Sequence, residues 1–395
     1  MTPVMRPRVM VVVGTRPEAI KMAPVIHALR KRDALVETEL ALTGQHSDLV
    51  DDVLRVFRLL PDHDLALMRE GQTLYDVATG CLAGLRRLVE TRRPRLLLVQ
   101  GDTASVFFGA LVGFFEGVAV GHVEAGLRSG DLRRPFPEEG FRRLTGVLAD
   151  LHFAPTAGAR DHLLREGVPA ERIFLTGNPV VDALLRVGAS DLPVRDATLA
   201  GLLQGGASAA PFVLLTAHRR ESFGEPLVRV FEAVRALVEE RPELRILYPV
   251  HPNPAVREPA RRLLGGHRRI HLVDPLSYPD LVRALSRARL VLTDSGGIQE
   301  EAPTFGTPTL VLREVTERPE GIAAGVAELV GTDPGHILRA ARARLDEDAE
   351  ARQARRTRNP YGDGQAGSRI AEAVVDFLTS GRASVDAPAS HRVPG

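Results

Sequence analysis

The chain has 395 residues, which exceeds the size at which one hydrophobic core usually stops growing and therefore predicts two domains. Its hydrophobic fraction of 44% and charged fraction of 26% are ordinary for a globular protein, and a formal net charge of +1 argues against a nucleic-acid or anionic-membrane surface. Cys81 is the only cysteine, so an internal disulfide is excluded and a cytoplasmic location is expected. The apolar run before Gly14 is too short to span a bilayer and predicts a first strand rather than a signal sequence.

In chain order, short runs rich in Val, Leu and Ile alternate with longer segments of helical period, which is the pattern of a parallel sheet built from βαβ units. In the first half, strands are predicted at residues 8–13, 36–43, 96–100, 118–123, 151–154 and 173–176. Helices are predicted there at residues 19–32, 48–57 and 74–91, with another between the strands that begin at 96 and 118. These elements predict a Rossmann-like domain over residues 1–187.

The stretch 188–211 loses this pattern and accumulates Gly, Ala, Ser and Pro, as a connection between domains does. Strands are predicted again at residues 212–216, 245–249, 270–273, 290–293 and 309–312, so a second Rossmann-like domain is expected over 212–365. A helix is expected at about 366–379 and a disordered tail at 380–395. The predicted fold class is α/β with two doubly wound domains facing a central cleft, where the carboxyl ends of both sets of strands would hold the chemistry.

The sequence GTRPEAIKMAP after the first strand has the features of an anion-binding turn. Gly14 permits the turn, Pro17 suits a first helical position, and the start of a helix offers free N–H groups. Arg16 and Lys21 would add positive charge, and Lys21 is one of only two lysines in the chain. Such a turn alone is equally typical of a structural strand-to-helix connection.

A sharper candidate for anion binding is DSGGIQEEAP, which follows a predicted strand. Ser295, Gly296 and Gly297 are small residues that open a helix and let a diphosphate approach the backbone amides. Within that helix, Glu300 or Glu301 could accept hydrogen bonds from ribose hydroxyls, or could be an ordinary acidic first turn. The spacings GxGxxG and GxxxxGK[ST] do not occur, so neither a dinucleotide site nor a P-loop is supported.

Several carboxylates are placed where general acid and base groups would be useful. Asp102 and Glu124 each end an apolar strand, and Glu138 and Glu139 begin a predicted helix. One such carboxylate is usually a cap or an ion-pair partner. Several converging on one site indicate acid and base catalysis, because clustering raises the pKa of at least one of them.

Two histidines also follow predicted strands. His218 lies beside Arg219 and Arg220 in TAHRRES, and His251 lies in VHPNP. A histidine with arginines at hand is suited to stabilising a developing phosphate charge. No grouping in the sequence has the spacing of metal ligands, so no metal and no cofactor are expected.

Taken together, ten motifs resemble those of the bacterial non-hydrolysing UDP-N-acetylglucosamine 2-epimerases. In order they are GTRPEAIKMAPVI, TGQH, GDTAS, GHVEAGLRSGD, PFPEE, TAHRRESFGEP, YPVHPNP, LTDSGGIQEEAP, TERPEG and NPYGDGQAGSRI. They run from the first predicted strand to the last predicted helix. Each motif is modest alone, and ten in sequence are specific.

The resemblance implies a glycosyltransferase-B-like fold whose last helix packs on the first domain, and a homodimer. It implies interconversion of UDP-GlcNAc and UDP-ManNAc without NAD or metal, by elimination of UDP to a 2-acetamidoglucal and re-addition, which would supply cell-envelope polysaccharide precursors. The catalytic positions carried over are Asp102, Glu124, Glu138 and His218. The substrate-binding positions carried over are Arg16, Lys21, Leu276, Leu281, Ser295, Gly296, Gly297, Glu301 and Arg318.

Many members of that family bind a second UDP-GlcNAc as an activator beside the active site. The positions that match are Gln45, Gln72, Glu138, Arg219 and His251. Asp48 and Gly71 depart from the family pattern at this activator site, Leu281 replaces a common Phe in the uracil pocket, and Phe141 replaces a usual Asn.

Three other functions compete with this hypothesis. A glycosyltransferase of the same fold would need an acceptor groove and one base, whereas several carboxylates cluster here. A hydrolysing epimerase, which would release ManNAc and UDP, differs only in letting water reach the glucal. A non-catalytic sensor would keep the phosphate site and lose Asp102, Glu124 and Glu138.

Overall fold

The structure is a computed structural model that describes residues 6–44, 48–67, 69, 71–206 and 209–380. The chain divides into two compact units. One holds the described residues up to Ala183 together with those from Gly362 onward, and Leu184–Tyr361 form the other. The chain therefore leaves the first unit and later returns to it.

The first unit is built on a seven-stranded sheet in which every pair of neighbouring strands is parallel. Its strands are β1 (Arg8–Val13), β2 (Glu37–Leu42), β3 (His63–Asp64), β4 (Leu96–Gln100), β5 (Ala119–Val123), β6 (Leu151–Ala154) and β7 (Ile173–Leu175). They lie in the order β3-β2-β1-β4-β5-β6-β7, so the order reverses between β1 and β4. All residues of β4 and β5 are buried, which explains why their sequences are nearly continuous apolar runs.

Helices connect the strands of this sheet, as parallel pairing requires. They are α1 (Arg16–Arg30), α2 (Asp48–Phe57), α3 (Leu74–Arg92), α4 (Ala104–Phe115), α5 (Glu138–Leu148), α6 (Ala157–Arg165) and α7 (Pro179–Gly188). A core cluster that includes Met10, Leu97 and Val99 lies between the sheet and helices α3 to α5. The division between the two units falls inside α7.

The second unit repeats the design with a six-stranded parallel sheet. Its strands are β8 (Phe212–Thr216), β9 (Arg245–Pro249), β10 (Ile270–Val273), β11 (Leu290–Thr293), β12 (Thr309–Val311) and β13 (Ala327–Leu329), in the order β10-β9-β8-β11-β12-β13. Its helices are α8 (Ala197–Leu203), α9 (Glu225–Glu240), α10 (Pro254–Leu264), α11 (Tyr278–Arg287), α12 (Gly296–Glu301), α13 (Pro319–Ala323), α14 (Pro334–Leu345) and α15 (Ala349–Thr357).

The last described helix, α16 (Ala366–Thr379), belongs to the first unit and packs on α1. The Asp182 carboxylate accepts the backbone N–H groups of Ala366 and Gly367 at 3.2 and 2.8 Å, which satisfies donors at the start of α16. A Cβ added at Gly367 would lie 2.9 Å from the backbone of Pro24, so only glycine fits this close helix contact.

Several elements differ from the sequence-based expectation. β3 and β13 are two and three residues long and lack an apolar run, so the pattern did not predict them. The stretch 188–211, expected to be a connection, contains α8, in which Asp196 caps the helix and Leu199 packs into a core cluster of the second unit. Residues 381–395 of the expected tail lie outside the described residues.

Within the described ranges, no helix is long and apolar enough to cross a membrane. In the same ranges, no group of three or more His, Cys, Asp or Glu side chains is placed to hold a metal ion.

Candidate active site

The turn after β1 is held by a buried carboxylate. Thr15 caps α1, and the Glu18 carboxylate accepts the Gly14 backbone N–H at 2.6 Å and the Thr15 hydroxyl at 2.9 Å. Thr103, in the loop after β4, donates its hydroxyl to the same carboxylate at 2.8 Å. Burial raises the pKa of Glu18 to about 7, although these hydrogen bonds oppose the rise. Glu18 therefore ties the turn that carries Arg16 to the loop after β4.

Glu124 is a buried carboxylate at the end of β5. Its backbone lies in the left-handed region with φ of 64°, a costly conformation for a residue other than glycine and one that is concentrated at functional sites. Lys21 from α1 places its Nζ 2.5 Å from Oε1, and the Asn178 amide donates to the same oxygen at 3.0 Å. The Gln100 amide, at the end of β4, donates to Oε2. Three separate parts of the first unit thus fix one carboxylate.

Asp102, in the loop after β4, is bound by an arginine from α5. The Arg142 guanidinium donates to Asp102 and, at 2.6 Å, to Glu139. Glu139 is completely buried and also accepts an N–H from the Ser129 backbone and one from Arg143, each at 3.1 Å. Arg142 is therefore anchored on a structural carboxylate, while Asp102 keeps a side chain that is 27% exposed.

Glu138 begins α5 and has a different environment from its neighbour Glu139. Its Oε2 atom is buried and makes no hydrogen bond to any residue that the structure describes. A buried carboxylate oxygen in that state is costly, so the group is suited to taking up a proton or meeting a ligand. The sequence pattern offered both glutamates as candidates, and the structure gives Glu139 the structural role.

These carboxylates lie at the carboxyl edge of the first sheet. β4 and β5 are neighbours, and a Cβ added at Gly101 would lie 3.7 Å from Oε2 of Glu124. Asp102 therefore follows a turn that touches Glu124. Arg142 brings α5, which begins at Glu138, to the same loop.

His218 follows β8 in the second unit and is held by Asp294, which follows β11. One carboxylate oxygen of Asp294 accepts the backbone N–H groups of His218 and Arg219 at 2.7 and 2.8 Å. The His218 ring stacks on that of His251, with centroids 5.5 Å apart and planes inclined by 19°. Burial lowers the pKa of His218, and the Asp294 charge acts in the opposite direction.

Ser295 is the residue before α12, and Gly296 and Gly297 are the first two residues of that helix. The Ser295 N–H donates to the Thr293 hydroxyl at 2.9 Å, and no side chain caps the helix. A Cβ added at Gly296 would lie 3.7 Å from a guanidinium nitrogen of Arg219, so the start of α12 and the loop after β8 are adjacent. Backbone amides, His218 and Arg219 thus lie on one part of the second unit.

The two glutamates of α12 have distinct positions. Glu300 is buried and accepts a hydrogen bond from Arg318, the residue that precedes α13. Gln299, also buried, accepts the Thr316 hydroxyl at 2.6 Å and so holds the loop that carries Arg318. Glu301 is half-buried one position further along the helix. Of the two, Glu300 is the one that orients Arg318.

The remaining sequence candidates are placed as follows. Leu276 is buried in a core cluster of the second unit and Leu281 is partly buried against it, so both provide apolar wall rather than polar contacts. The Gln72 side-chain amide is hydrogen-bonded within its own loop. It donates to the Leu67 carbonyl at 2.8 Å and accepts the Arg69 N–H at 2.7 Å.

Other positions matched to the activator site are less constrained. Arg219 and His251 are exposed. Gly71 has φ of 74°, which suits glycine better than the larger residue found in some family members. Gln45 and the side chain of Asp48 lie outside the described residues.

Five contributing residues were not predicted. Glu18, Gln100 and Asp294 lie inside or directly beside the ten motifs, and Arg142 lies shortly after PFPEE. Their roles depend on which strand ends are neighbours. Asn178 follows β7 in LTGNP, and a polar residue at a strand end was a signal that could have identified it.

The two parallel sheets and their strand-end clusters define the class of glycosyltransferase-B-like α/β proteins. A solved structure of the glycotransferase of kitacinnamycin, 12% identical, matches with a TM-score of 0.62 over 95% of this chain and all of that one, and it shows the fold alone. The predicted α/β fold class with two doubly wound parallel sheets is thereby confirmed.

Sequence comparison then assigns the family. A family model described as UDP-N-acetylglucosamine 2-epimerase matches residues 27–375. A UDP-N-acetylglucosamine 2-epimerase of Yersinia pestis is 47% identical over 369 residues, covering 93% of this chain and 98% of the relative. The chain belongs to the UDP-N-acetylglucosamine 2-epimerase family, which confirms the resemblance seen in the ten motifs.

Solved structures of the family have the same fold. A putative UDP-N-acetylglucosamine 2-epimerase from Listeria monocytogenes has a TM-score of 0.88 and 44% identity, covering 95% of this chain and 98% of that one. A UDP-GlcNAc 2-epimerase from Neisseria meningitidis, solved bound to UDP-GlcNAc, has a TM-score of 0.81 and 37% identity, covering 93% of this chain and all of that one.

Proposed function

We propose that this chain interconverts UDP-GlcNAc and UDP-ManNAc by inverting C2 of the sugar, without hydrolysis. The observation that carries the proposal is the Glu124 carboxylate, held in a strained backbone conformation by Lys21, Gln100 and Asn178 next to the loop of Asp102. A buried, fixed carboxylate costs stability, and removal of a weakly acidic proton from carbon requires such a positioned base.

The proposed reaction has two halves. In the first, a carboxylate of the first unit takes the C2 proton while the C1–O bond breaks, and the bonding electrons of C1–O leave with UDP. The product is a 2-acetamidoglucal with a C1=C2 double bond. In the second half, UDP adds back to C1, and a proton is returned to C2 from the opposite face. Two acids are needed, and Asp102, Glu124 and Glu138 supply candidates in different environments.

The departing diphosphate needs stabilisation, and the second unit offers it. The amides of Gly296 and Gly297, next to Ser295, together with His218, provide donors at one place. We assign Arg318 to the nucleotide as well, since Glu300 orients its guanidinium. In the first unit, Arg16 makes no ion pair with any described residue, which leaves its guanidinium for phosphate oxygens.

The decisive experiment is incubation of the protein with UDP-GlcNAc alone in heavy water, followed by separation of the products. UDP-ManNAc with deuterium at C2 is expected, because elimination and re-addition expose this proton to exchange. Product with only protium at C2 would count against the route. Free ManNAc and UDP would establish the hydrolysing alternative, and turnover only with an added acceptor would establish a glycosyltransferase. Addition of a chelator should leave the rate unchanged.

We further propose a homodimer, and a cytoplasmic location in keeping with the single cysteine. Large apolar side chains are exposed on the outer helices of the first unit: Phe114 and Phe115 on α4, and Leu144 and Val147 on α5, the last 81% exposed. Light scattering should give a mass in solution of twice the chain mass of 42.9 kDa. Val147→Glu should lower this measured mass, because it places a charge on the apolar surface. Leu192→Glu, at an exposed leucine of the second unit, is the control, and a monomeric wild-type protein would refute the dimer.

A second molecule of UDP-GlcNAc is proposed as an activator. Exposed Arg219 and His251 adjoin His218, so a ligand there would contact the residue assigned to the diphosphate. Starting from pure UDP-ManNAc, the enzyme should be nearly idle until a trace of UDP-GlcNAc is added, and the forward reaction should be sigmoidal. Gln45→Ala should weaken this response more than it weakens turnover. Hyperbolic kinetics in both directions would mean that no activator site operates in this chain.

A further inference from the structure

Asp294 is one of the most constrained residues of the second unit. It lies directly after β11, it is fully buried, and its own N–H donates to the Thr216 carbonyl of β8 at 3.0 Å. Its Oδ2 atom accepts two backbone N–H groups, those of His218 and Arg219. The carboxylate therefore holds the loop after β8 against the short connection between β11 and α12.

The other oxygen of Asp294 has a different environment. Oδ1 is buried and makes no hydrogen bond to any described residue, and it lies 3.8 Å from Nδ1 of His218. That distance is longer than a hydrogen bond and within ion-pair range. A buried carboxylate oxygen without a hydrogen bond costs stability. If Asp294 served only to hold the two backbone N–H groups, this second oxygen would not be needed.

The negative charge of Asp294 opposes the other influences on the protonation of His218. Three influences disfavour the imidazolium and lower the pKa of His218: burial first, then Arg219 and His251. Among the residues that the structure describes, Asp294 is the neighbour whose charge favours the protonated ring. Without it, the ring would face one guanidinium and a second imidazole with no compensating negative charge.

We propose that Asp294 is a positioning residue that sets the tautomer and the protonation of His218. The negative charge of Oδ1, 3.8 Å from Nδ1, favours a proton on Nδ1, so that Nε2 is the nitrogen presented to the ligand. The same charge lets the ring take up a second proton as UDP departs. The proposal rests on the proposed function, in which His218 meets the diphosphate. Asp294 itself touches no substrate in this account.

The first test is nitrogen-15 NMR of the histidines of the wild-type protein. The signals of His218 are assigned as those that disappear in His218→Gln. The neutral ring is expected as the Nδ1–H tautomer. In Asp294→Asn, one oxygen remains to accept both backbone N–H groups while the charge is lost, so the pKa of His218 should fall by about one unit. The Nε2–H tautomer in the wild type, or an unchanged pKa in the variant, would overturn the proposal.

The second test is kinetic. Asp294→Asn should lower kcat at neutral pH by about tenfold to a hundredfold and shift the pH profile of kcat toward lower pH, so that part of the loss is recovered in acid. If kcat falls by the same factor at every pH, Asp294 only holds the backbone of the loop after β8. Asp346→Asn, at an exposed carboxylate of the same unit that pairs with Arg241 at 2.8 Å, is the matched control.

The two tests separate this inference from the proposed function. If the wild-type protein does not epimerise UDP-GlcNAc, the function fails, while the tautomer and the pKa difference can still be measured. If epimerisation occurs and Asp294→Asn leaves both the His218 pKa and the pH profile unchanged, only this inference fails. If Asp294→Asn does not fold, the tautomer in the wild type decides.

Discussion

The Nζ atom of Lys21 lies 2.5 Å from Oε1 of Glu124, and the two residues reach this contact from α1 and from the end of β5. Lys21 is one of two lysines in a chain with 51 basic residues of the Lys and Arg types. A compact ammonium can pair with a single carboxylate oxygen, whereas a guanidinium is larger, planar and carries several N–H donors. This geometry gives a physical reason for lysine here.

Lys21→Arg is expected to lower turnover by about tenfold or more, although the charge is kept, because the larger group displaces Glu124. Steady-state kinetics with UDP-GlcNAc will measure the change. The matched control is Lys31→Arg, at an exposed lysine just after the same helix, which should behave as wild type. Equal activity in Lys21→Arg would show that only the charge matters at this position.

Glu124→Gln and Asp102→Asn should each lower turnover by at least about a hundredfold, the usual scale for a positioned acid or base. Circular dichroism should show that both variants fold, since the amides preserve the size of each side chain. Turnover within a few-fold of wild type in either variant would assign that residue a structural role.

The neighbours Glu138 and Glu139 should respond in opposite ways to the same change. Glu139→Gln breaks a buried pairing with Arg142 and Arg143 and should lower the free energy of unfolding by about 3 to 5 kcal/mol. Glu138→Gln should leave thermal stability unchanged and lower turnover by about a hundredfold. Each variant serves as the control for the other, and a loss of stability in both would place Glu138 in the structural network.

His218→Ala should lower kcat by roughly a hundredfold, because stabilisation of the departing diphosphate is lost. If only the Michaelis constant rises, His218 binds the ground state and the transition state equally. Arg220→Ala, at an exposed arginine two residues later, tests whether the loss is specific to the imidazole.

Stability should depend on pH through Glu18. Its pKa is raised in the folded state from an ordinary 4.5 to about 7, so between these values the unfolded chain ionises while the folded chain keeps the proton. The contribution of Glu18 to the free energy of unfolding should therefore be fully present below pH 4.5 and fall by about 3 kcal/mol as the pH rises through 7. Denaturant titrations of wild type and Glu18→Gln will isolate this contribution as their difference, and parallel stability curves would contradict it.

Much of the fold could be predicted from the sequence because parallel strands buried on both faces are nearly continuous apolar runs, as in β4 and β8. β3 and β13 have no such run, and they form because the neighbouring strands β2 and β12 already provide an edge. The helix α8 was missed because its small residues resembled those of a connection, although Asp196 and the leucines that follow it form an ordinary capped helix.

The site was partly predictable for a similar reason. Chemistry-bearing residues just after the end of a strand, such as Asp102, Glu124 and His218, can be located from the strand pattern alone. Contacts between strand ends cannot, since they require the strand order. The pairing of Asn178 with Glu124 and of Asp294 with His218 spans 54 and 76 residues of chain.

The packing of α16 on α1 has a consequence for synthesis. Arg32 and Ser368, whose side chains meet near this helix pair, are separated by 336 positions in the chain. At a translation rate of roughly 5 to 20 residues per second, the start of the first unit waits about 15 to 70 seconds for its last helix. The second unit comes from one uninterrupted stretch and can be completed while that wait continues. The half that is made first on the ribosome is thus the half that finishes last.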